Sequence, residues 1–564
     1  MNNNSIRTVT FVFIALILLN IFVTLSLAST STLEEDDASV ARVEFVEKVG
    51  TTSTFNLKSC GPLNVSGATY KLIKDVSSRD TCFTILADGI TLDGAGHKVY
   101  YAKKSNGYGV NNVGGYSNLT LKRLIISTVS SSPNSLKFDH NIYSYGGNNV
   151  VISGNTLINH INSSSGIIVQ GINGGTTASN AQILNNVVKT GDYNSPGIYI
   201  DNSINFSISE NSVHTKGSIS PGLQIATYMG SSSNHQINNN RIRTLGSFSK
   251  GISAEVNNFP LEFLSISQND ITTSGLLAYG LILINSNHNE ILDNSIDTLN
   301  ARAGSSVYLQ NTRNVSFEGN SITSKGSYSK GLVVIQSQPE NNDITALGNK
   351  FDSNSITSTK DVALIIDGSS YNSFSNNKIS SSLNDAINLI SKEQTPGINL
   401  VPNNTLFLGN VLKSGKSFND LVFFSNNLPS AYISDITFLD QVISKYVFDS
   451  GSSSAPWHTY LNSPTFENSK YGKLTFYSPI GGFGKNLSAE IQIKRNLVLI
   501  NATVYSGLSR PANITLYDMS GLNFGSDARI YRDGQICASC YNFTPLTADN
   551  VIFNVSGAGL YSLQ

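Results

Sequence analysis

Two carboxylates and three neutral polar side chains stand at matching places in successive copies of a short pattern. Tyr199 and Asp201 take the second and fourth positions of the run that opens at Gly197-Ile198. Gln224 takes the second position of the next copy, Glu255 the fourth of the one after, and Tyr308 the second of a copy further on. If each copy is one rung of stacked strands, Asp201 and Glu255 lie two rungs apart, about 9.6 Å between backbones. Acid and base carboxylates of inverting glycosidases are separated by roughly 6.5–9.5 Å. The rings of Tyr199 and Tyr308 can stack on sugars. The expectations are therefore Asp201 and Glu255 as catalytic candidates, and Tyr199, Gln224 and Tyr308 as carbohydrate-binding candidates. Against catalysis stands coincidence, since among 38 acidic residues two will often face solvent together.

These residues are positioned by a repeat of roughly 25 to 33 residues between Asn155 and Phe423. Its anchor is asparagine, any residue, then an apolar residue. It occurs at Asn155, Asn186, Asn211, Asn240, Asn269, Asn294, Asn320, Asn349, Asn377 and Asn410. Eleven residues after most anchors a glycine opens an alternating apolar run, as at Gly166, Gly197, Gly222, Gly251, Gly280 and Gly331. Ser306 and Asp361 fill that place one residue late. A fixed period of this size marks a solenoid, and alternation with period two marks strands. Each repeat holds three short strands and three turns. The asparagines are expected in left-handed turns, stacked into an amide ladder. The glycines are expected to supply positive φ. A one-residue slip would expose every inward Ile, so the constant offset holds the register.

The repeat resembles the single-stranded right-handed parallel β-helix family, the pectate-lyase-like fold. The opening Cys60-Gly-Pro-Leu, Cys82-Phe-Thr-Ile and Asp93-Gly-Ala-Gly-His97 resembles that of archaeal-type secreted or surface β-helix proteins, in which a cap leads into the first rung. The resemblance implies a disulfide from Cys60 to Cys82 across that cap, which an exported protein permits. It also makes His97 and Asp93 turn residues. Cys537 and Cys540 pair as a short loop, a redox or zinc role lacking the thioredoxin-like context or further ligands it needs. The stretch 497–564, with that short loop, resembles modules that close such surface proteins. Fold is implied; activity is not.

Residues 1–28 read as a secretory signal: Arg7, then an apolar core from Val9 to Leu25, then Ser26-Leu-Ala28. An uncleaved membrane anchor is the competing reading. Residues 29–54 form a linker with the acidic cluster Glu34 to Asp37, 55–426 a β-helix of about twelve rungs with its cap, and 427–564 a C-terminal β-sandwich. Insertions such as Ser130 to Tyr145 are expected to project from turns. Lys plus Arg number 37 against 38 Asp plus Glu, and charged residues make up 13% of the chain. No basic stripe appears, which argues against nucleic acid. Membrane contact is left to the N-terminal segment alone. Asn-x-Ser/Thr sequons are frequent in the exported part, for example at Asn118, Asn205 and Asn314, and a minority are expected to carry glycans.

The polygalacturonase-like set of Asn-x-Asp, Asp-Asp and Gly-His-Gly is not assembled. Asn341-Asn-Asp343 falls in a turn, Asp36-Asp37 in the leader, and Gly-His-Gly does not occur. Lyases of this fold use Lys or Arg as base, often with calcium. Arg241, Arg243 and Lys250 are placed in turns without acidic company. No metal site and no cofactor are indicated; calcium is admissible but no motif asks for it. The sequence thus points to an all-β, exported or cell-surface protein that binds polysaccharide or another surface, leaning away from catalysis. The alternatives are a polysaccharide hydrolase or lyase working on the outer sheet face, and a structural envelope component. The outer strip from Ile282 to Ile390 is read as a covered or partner-facing surface.

Overall fold

The computed structural model describes residues 53–128, 138–172, 178–227, 232–256, 261–299, 302–336, 348–395, 398–425, 433–448 and 460–564. The expected signal, the linker up to 52, and the segments of Asp36-Asp37 and Asn341-Asn-Asp343 lie outside the described residues.

The chain is a right-handed β-helix of about twelve turns followed by a C-terminal β-sandwich. Most turns contribute a strand to each of three parallel sheets. In one turn these are Val187–Thr190, Ile198–Asp201 and Ser207–Ser209. The sheets are called here the ladder sheet, the glycine-led sheet and the third sheet. Among the described residues the ladder sheet holds thirteen strands from Val76–Ser77 to Val411–Lys413. Pairing is in register and parallel, so Val188 lies over Val213, then Ile242, Ile271 and Ile296. Alternation sends those residues into the tube, where they are fully buried. In the later third sheet the interior column is aromatic. Phe317, Phe351, Phe374, Phe407, Phe438 and Phe466 follow one another at 4.5–5.8 Å between ring centroids.

The buried asparagines form the expected column with one substitution. Asn155, Asn186, Asn211, Asn240, Asn269, Asn294 and Asn320 each pass a side-chain N–H to the oxygen of the next at 2.9–3.1 Å. The oxygen after Asn320 belongs to Asn354, and the column continues through Asn377 and Asn410 to Gln441. Asn349 is not in it. Its oxygen accepts from the Val315 backbone N–H and its amide donates to the Thr312 carbonyl, at a different corner. Both Asn349-Lys-Phe and Asn354-Ser-Ile satisfy the sequence pattern, and register decides between them.

Two expected causes are corrected as well. The left-handed residue is the one before each ladder asparagine: Gly154, Asn185, Glu210, Asn239, Gln268, Asp293, Gly319, Ser353, Asn376 and Gly409 all have φ between 54° and 66°. The asparagine itself is retained for its amide. The sheet-opening glycines do not have positive φ either. A Cβ on Gly197 would sit 2.3 Å from the Val213 side chain and 2.7 Å from the Gly222 carbonyl, so close approach is the cause. Where neighbours give way a Cβ is accepted, and Ser306 and Ala363 occupy the same place. Ala363, not Asp361, is therefore the residue over Gly331.

Parallel pairing continues past residue 426. Thr437–Leu439 and Thr465–Asn468 extend the third sheet, and Tyr446–Phe448 extends the glycine-led sheet. Gly472–Phe476 then reverses direction against Thr465–Asn468. One face of the sandwich grows from it through Ala512–Leu516 and Val551–Val555. The other face is a five-stranded antiparallel sheet that includes Leu497–Ile500 and Gly559–Leu563. Disulfides join Cys60 to Cys82 and Cys537 to Cys540. Asp93 and His97 serve the first turns: Asp93 accepts from the Ala95 backbone and pairs with Arg123, and His97 lies 3.5 Å from Asp75.

Candidate functional site

The outer face of the glycine-led sheet presents two columns of side chains, set by period-two alternation. Register orders the first as Asn111, Tyr143, Ile168, Tyr199, Gln224, Ser253, Ile282, Tyr308, Val333, Ile365 and Asn388. The second runs through Tyr145, Gln170, Asp201 and Ala226, and later through Glu255, Ile284, Gln310, Ile335, Asp367 and Ile390. The exchange of Ala363 for Asp361 at the sheet opening brings Ile365 and Asp367 into these columns, where spacing had put Ala363 and Ile365.

The candidates fall on this face in two groups. Tyr199, Gln224 and Asp201 stand on adjacent rungs. Asp201 is 2% exposed, and its Oδ2 accepts from the Gln170 amide at 3.1 Å, so its carboxylate is covered rather than open to the groove. Glu255, with Ala226 between it and Asp201, accepts from Lys250 Nζ at 2.5 Å and from the Ser253 hydroxyl. Lys250 begins the strand Lys250–Glu255, and Arg241 and Arg243 lie inside Arg241–Thr244, so none of the three is a turn residue. Tyr308 stands beyond Glu255, edge-on to Tyr279 at 5.7 Å, and its hydroxyl donates to Gln310.

Sequence spacing missed an aromatic surface at the beginning of the face. Ile142–Tyr145 is a strand of the glycine-led sheet, not part of a projecting insertion. Tyr143 lies parallel to Tyr108 at 5.3 Å, to His140 at 5.9 Å and to Tyr145 at 6.5 Å, and Phe138 extends the group with 60% of its surface exposed. The signal was present in the alternation Ile142-Tyr-Ser-Tyr145, but Asn141 occupies the place usually held by glycine. Tyr145 lies over Gln170, which lies over Asp201, so this surface joins the Tyr199 group without a break.

Tyr108, Tyr143, Tyr279 and Tyr308 are neutral hydrogen-bonding groups. Burial, then Tyr108, Tyr145 and Asp201, push the Tyr143 hydroxyl up to about 12. Burial, then Tyr279, Asp367 and Glu255, push Tyr308 up to about 12. Burial and Glu255 also raise Tyr279. His140 is held at about 4 by burial, and its Nδ1 accepts from the Ser165 backbone N–H. Rings that stack and hydroxyls that stay protonated suit sugar faces and sugar hydroxyls. Among the described residues no group of three or more His, Cys, Asp or Glu is placed to hold a metal ion.

No family model matches the chain, and no curated protein matches it. Among solved structures it is similar to the Azotobacter vinelandii mannuronan C-5 epimerase AlgE4 A-module, with 14% identity, 64% of this chain and 88% of that one covered, and a TM-score of 0.33. It is also similar to the periplasmic alginate epimerase AlgG, with 11% identity, 63% and 77% covered, and a TM-score of 0.31. For DFA-IIIase from Arthrobacter chlorophenolicus A6 the values are 9%, 53% and 81%, and 0.29. Similarity of this degree says nothing about what the chain does.

Proposed function

We propose that this chain is an exported or cell-surface β-helix protein that binds polysaccharide along the outer face of its glycine-led sheet without cleaving it. The observation that carries this reading is the continuous surface from Tyr108, His140, Tyr143 and Tyr145 through Gln170 to Tyr199 and Gln224. It offers stacking platforms and neutral donors and acceptors in a row, with little charge. Two disulfides support an oxidising compartment.

The engagement of both carboxylates favours binding over turnover. A hydrolytic pair needs one carboxyl able to give a proton and another open to water. Asp201 is covered and held by Gln170, and Glu255 is neutralised by Lys250. The enzymatic alternative keeps one observation in its favour: Asp201 and Glu255 share a face with only the methyl of Ala226 between them.

The test is affinity titration of the secreted chain with the polysaccharide that binds best in a panel. Tyr143→Ala and Tyr199→Ala should each weaken binding about tenfold, a loss of roughly 1.4 kcal/mol. Glu255→Gln should change it by less than about threefold, because its carboxylate is engaged by Lys250 rather than offered to the ligand. Unchanged affinity in both tyrosine variants would move the site elsewhere.

A further inference from the structure

We propose that the outer face of the ladder sheet carries a second, electrostatic binding surface for a linear acidic polysaccharide, centred on Lys189, His214 and Arg243. It lies on a different sheet from the aromatic face and does not depend on what that face binds.

Register makes the surface. Lys189 pairs with His214, and His214 with Arg243, at outward positions of three successive ladder strands. Lys189 and Arg243 are exposed and His214 is half-buried. Lys216, also exposed, follows the end of the middle strand. Composition concealed this stripe, because the chain as a whole is almost neutral and sparsely charged.

The acids in the two outward columns of this sheet nearest the stripe, Asp270 and Asp297, are already engaged. In the adjoining outward column Ser212, Arg241 and Asp270 follow in register, and Arg241 pairs with Asp270 at 3.6 Å. Beyond Arg243 the central column continues with Thr272 and then Asp297, which Lys325 holds at 2.6 Å. Among the described residues Lys189, Lys216 and Arg243 have no ion-pair partner. His214 thus faces Lys189, Arg243 and Lys216, with Arg241 and Asp270 paired beside it. Burial first, then Lys216, Arg243 and Lys189, depress its pKa.

Like charges on neighbouring strands destabilise a sheet. An anion lying across them relieves that repulsion, and its charge also raises the proton affinity of His214. The cations stand in single file along the rod at about 4.8 Å per rung, which fits an extended chain with a recurring anionic group. No aromatic ring other than His214 stands at the outward positions of these three strands. Base stacking, on which single-stranded nucleic acid binding relies, is therefore missing from this sheet face.

The experiment compares dextran sulfate with dextran, which share a backbone and differ in charge, by isothermal titration of the full chain. Dextran sulfate should bind at least tenfold more tightly. Its affinity should fall as salt rises from about 50 to 200 mM and increase as pH falls through the depressed pKa of His214. Lys189→Glu with Arg243→Glu should lower that affinity at least tenfold, and Lys189→Gln with Arg243→Gln by an intermediate factor. Lys378→Glu, an exposed position of the same sheet, should stay within about twofold of wild type. His214→Ala should lose the acid-side gain. Equal loss in Lys378→Glu and in the double variant, no binding of dextran sulfate, or tighter binding of oligo-dT than of dextran sulfate would each overturn the proposal.

Discussion

Asn354→Ala destabilises the β-helix by on the order of 4 kcal/mol, whereas Asn349→Ala, five residues away, costs about half as much. In the native chain the Asn354 oxygen accepts from both the backbone and side-chain N–H of Asn320. Its amide donates to the Phe317 carbonyl and to Asn377. All of these groups are buried, so truncation orphans donors and acceptors on both neighbouring rungs, each at about 1–3 kcal/mol. Asn349 serves one backbone N–H and contacts Thr312 alone. A solenoid stabilised between nearest neighbours can open locally. Amide hydrogen exchange around residues 317–379 is therefore the measurement, supported by the thermal midpoint. Equal loss of protection in the two variants would contradict the ladder assignment.

Acid labilises the rod, and the buried His235 is one cause. Its ring lies inside the tube, stacked 3.7 Å from Phe206, with Nε2 2.6 Å from the Ser232 hydroxyl. Burial holds its pKa at about 3 against an ordinary 6.5. The unfolded chain therefore takes up the proton first. The stabilisation is complete above pH 6.5, declines as pH falls, and is lost by about pH 3. A shift of this size is worth on the order of 5 kcal/mol. His140, held at about 4, adds a smaller loss over pH 6.5 to 4. His235→Phe keeps a ring in the stack and removes the titration. Its thermal midpoint should fall less steeply than that of wild type between pH 7 and 4. Parallel curves would show that His235 does not titrate on unfolding.

The architecture was legible because its cause is periodic. Ladder asparagines, alternating apolar runs and sheet-opening residues recur at constant offset, and stacking turns that offset into register. Legibility failed where register and motif part. Asn349-Lys-Phe mimics Asn354-Ser-Ile, Ala363 stands where a polar Asp361 sat at a more regular spacing, and Gln441 ends the ladder without an asparagine. The interior phenylalanines at 438 and 466, continuing the column from Phe407, mark the rungs beyond 426 better than the polar pattern does.

The candidate site was half visible. Column positions of Tyr199, Gln224 and Tyr308 follow from period two alone. That Asp201 is covered by Gln170, and that Glu255 is tied to Lys250 from the start of its own strand, depends on side-chain packing no spacing reports. The aromatic surface at Tyr108 and Tyr143 joins segments 35 residues apart in sequence, with an asparagine in the glycine's place.

The most direct test of the central claim is to incubate the secreted chain with a polysaccharide panel, with and without calcium, recording retention by affinity electrophoresis together with reducing ends and unsaturated products. Retention on at least one polysaccharide with no new ends is the predicted result. Release of reducing ends or unsaturated products by wild type, abolished in Asp201→Asn or Glu255→Gln, would contradict it and assign the face to an enzyme.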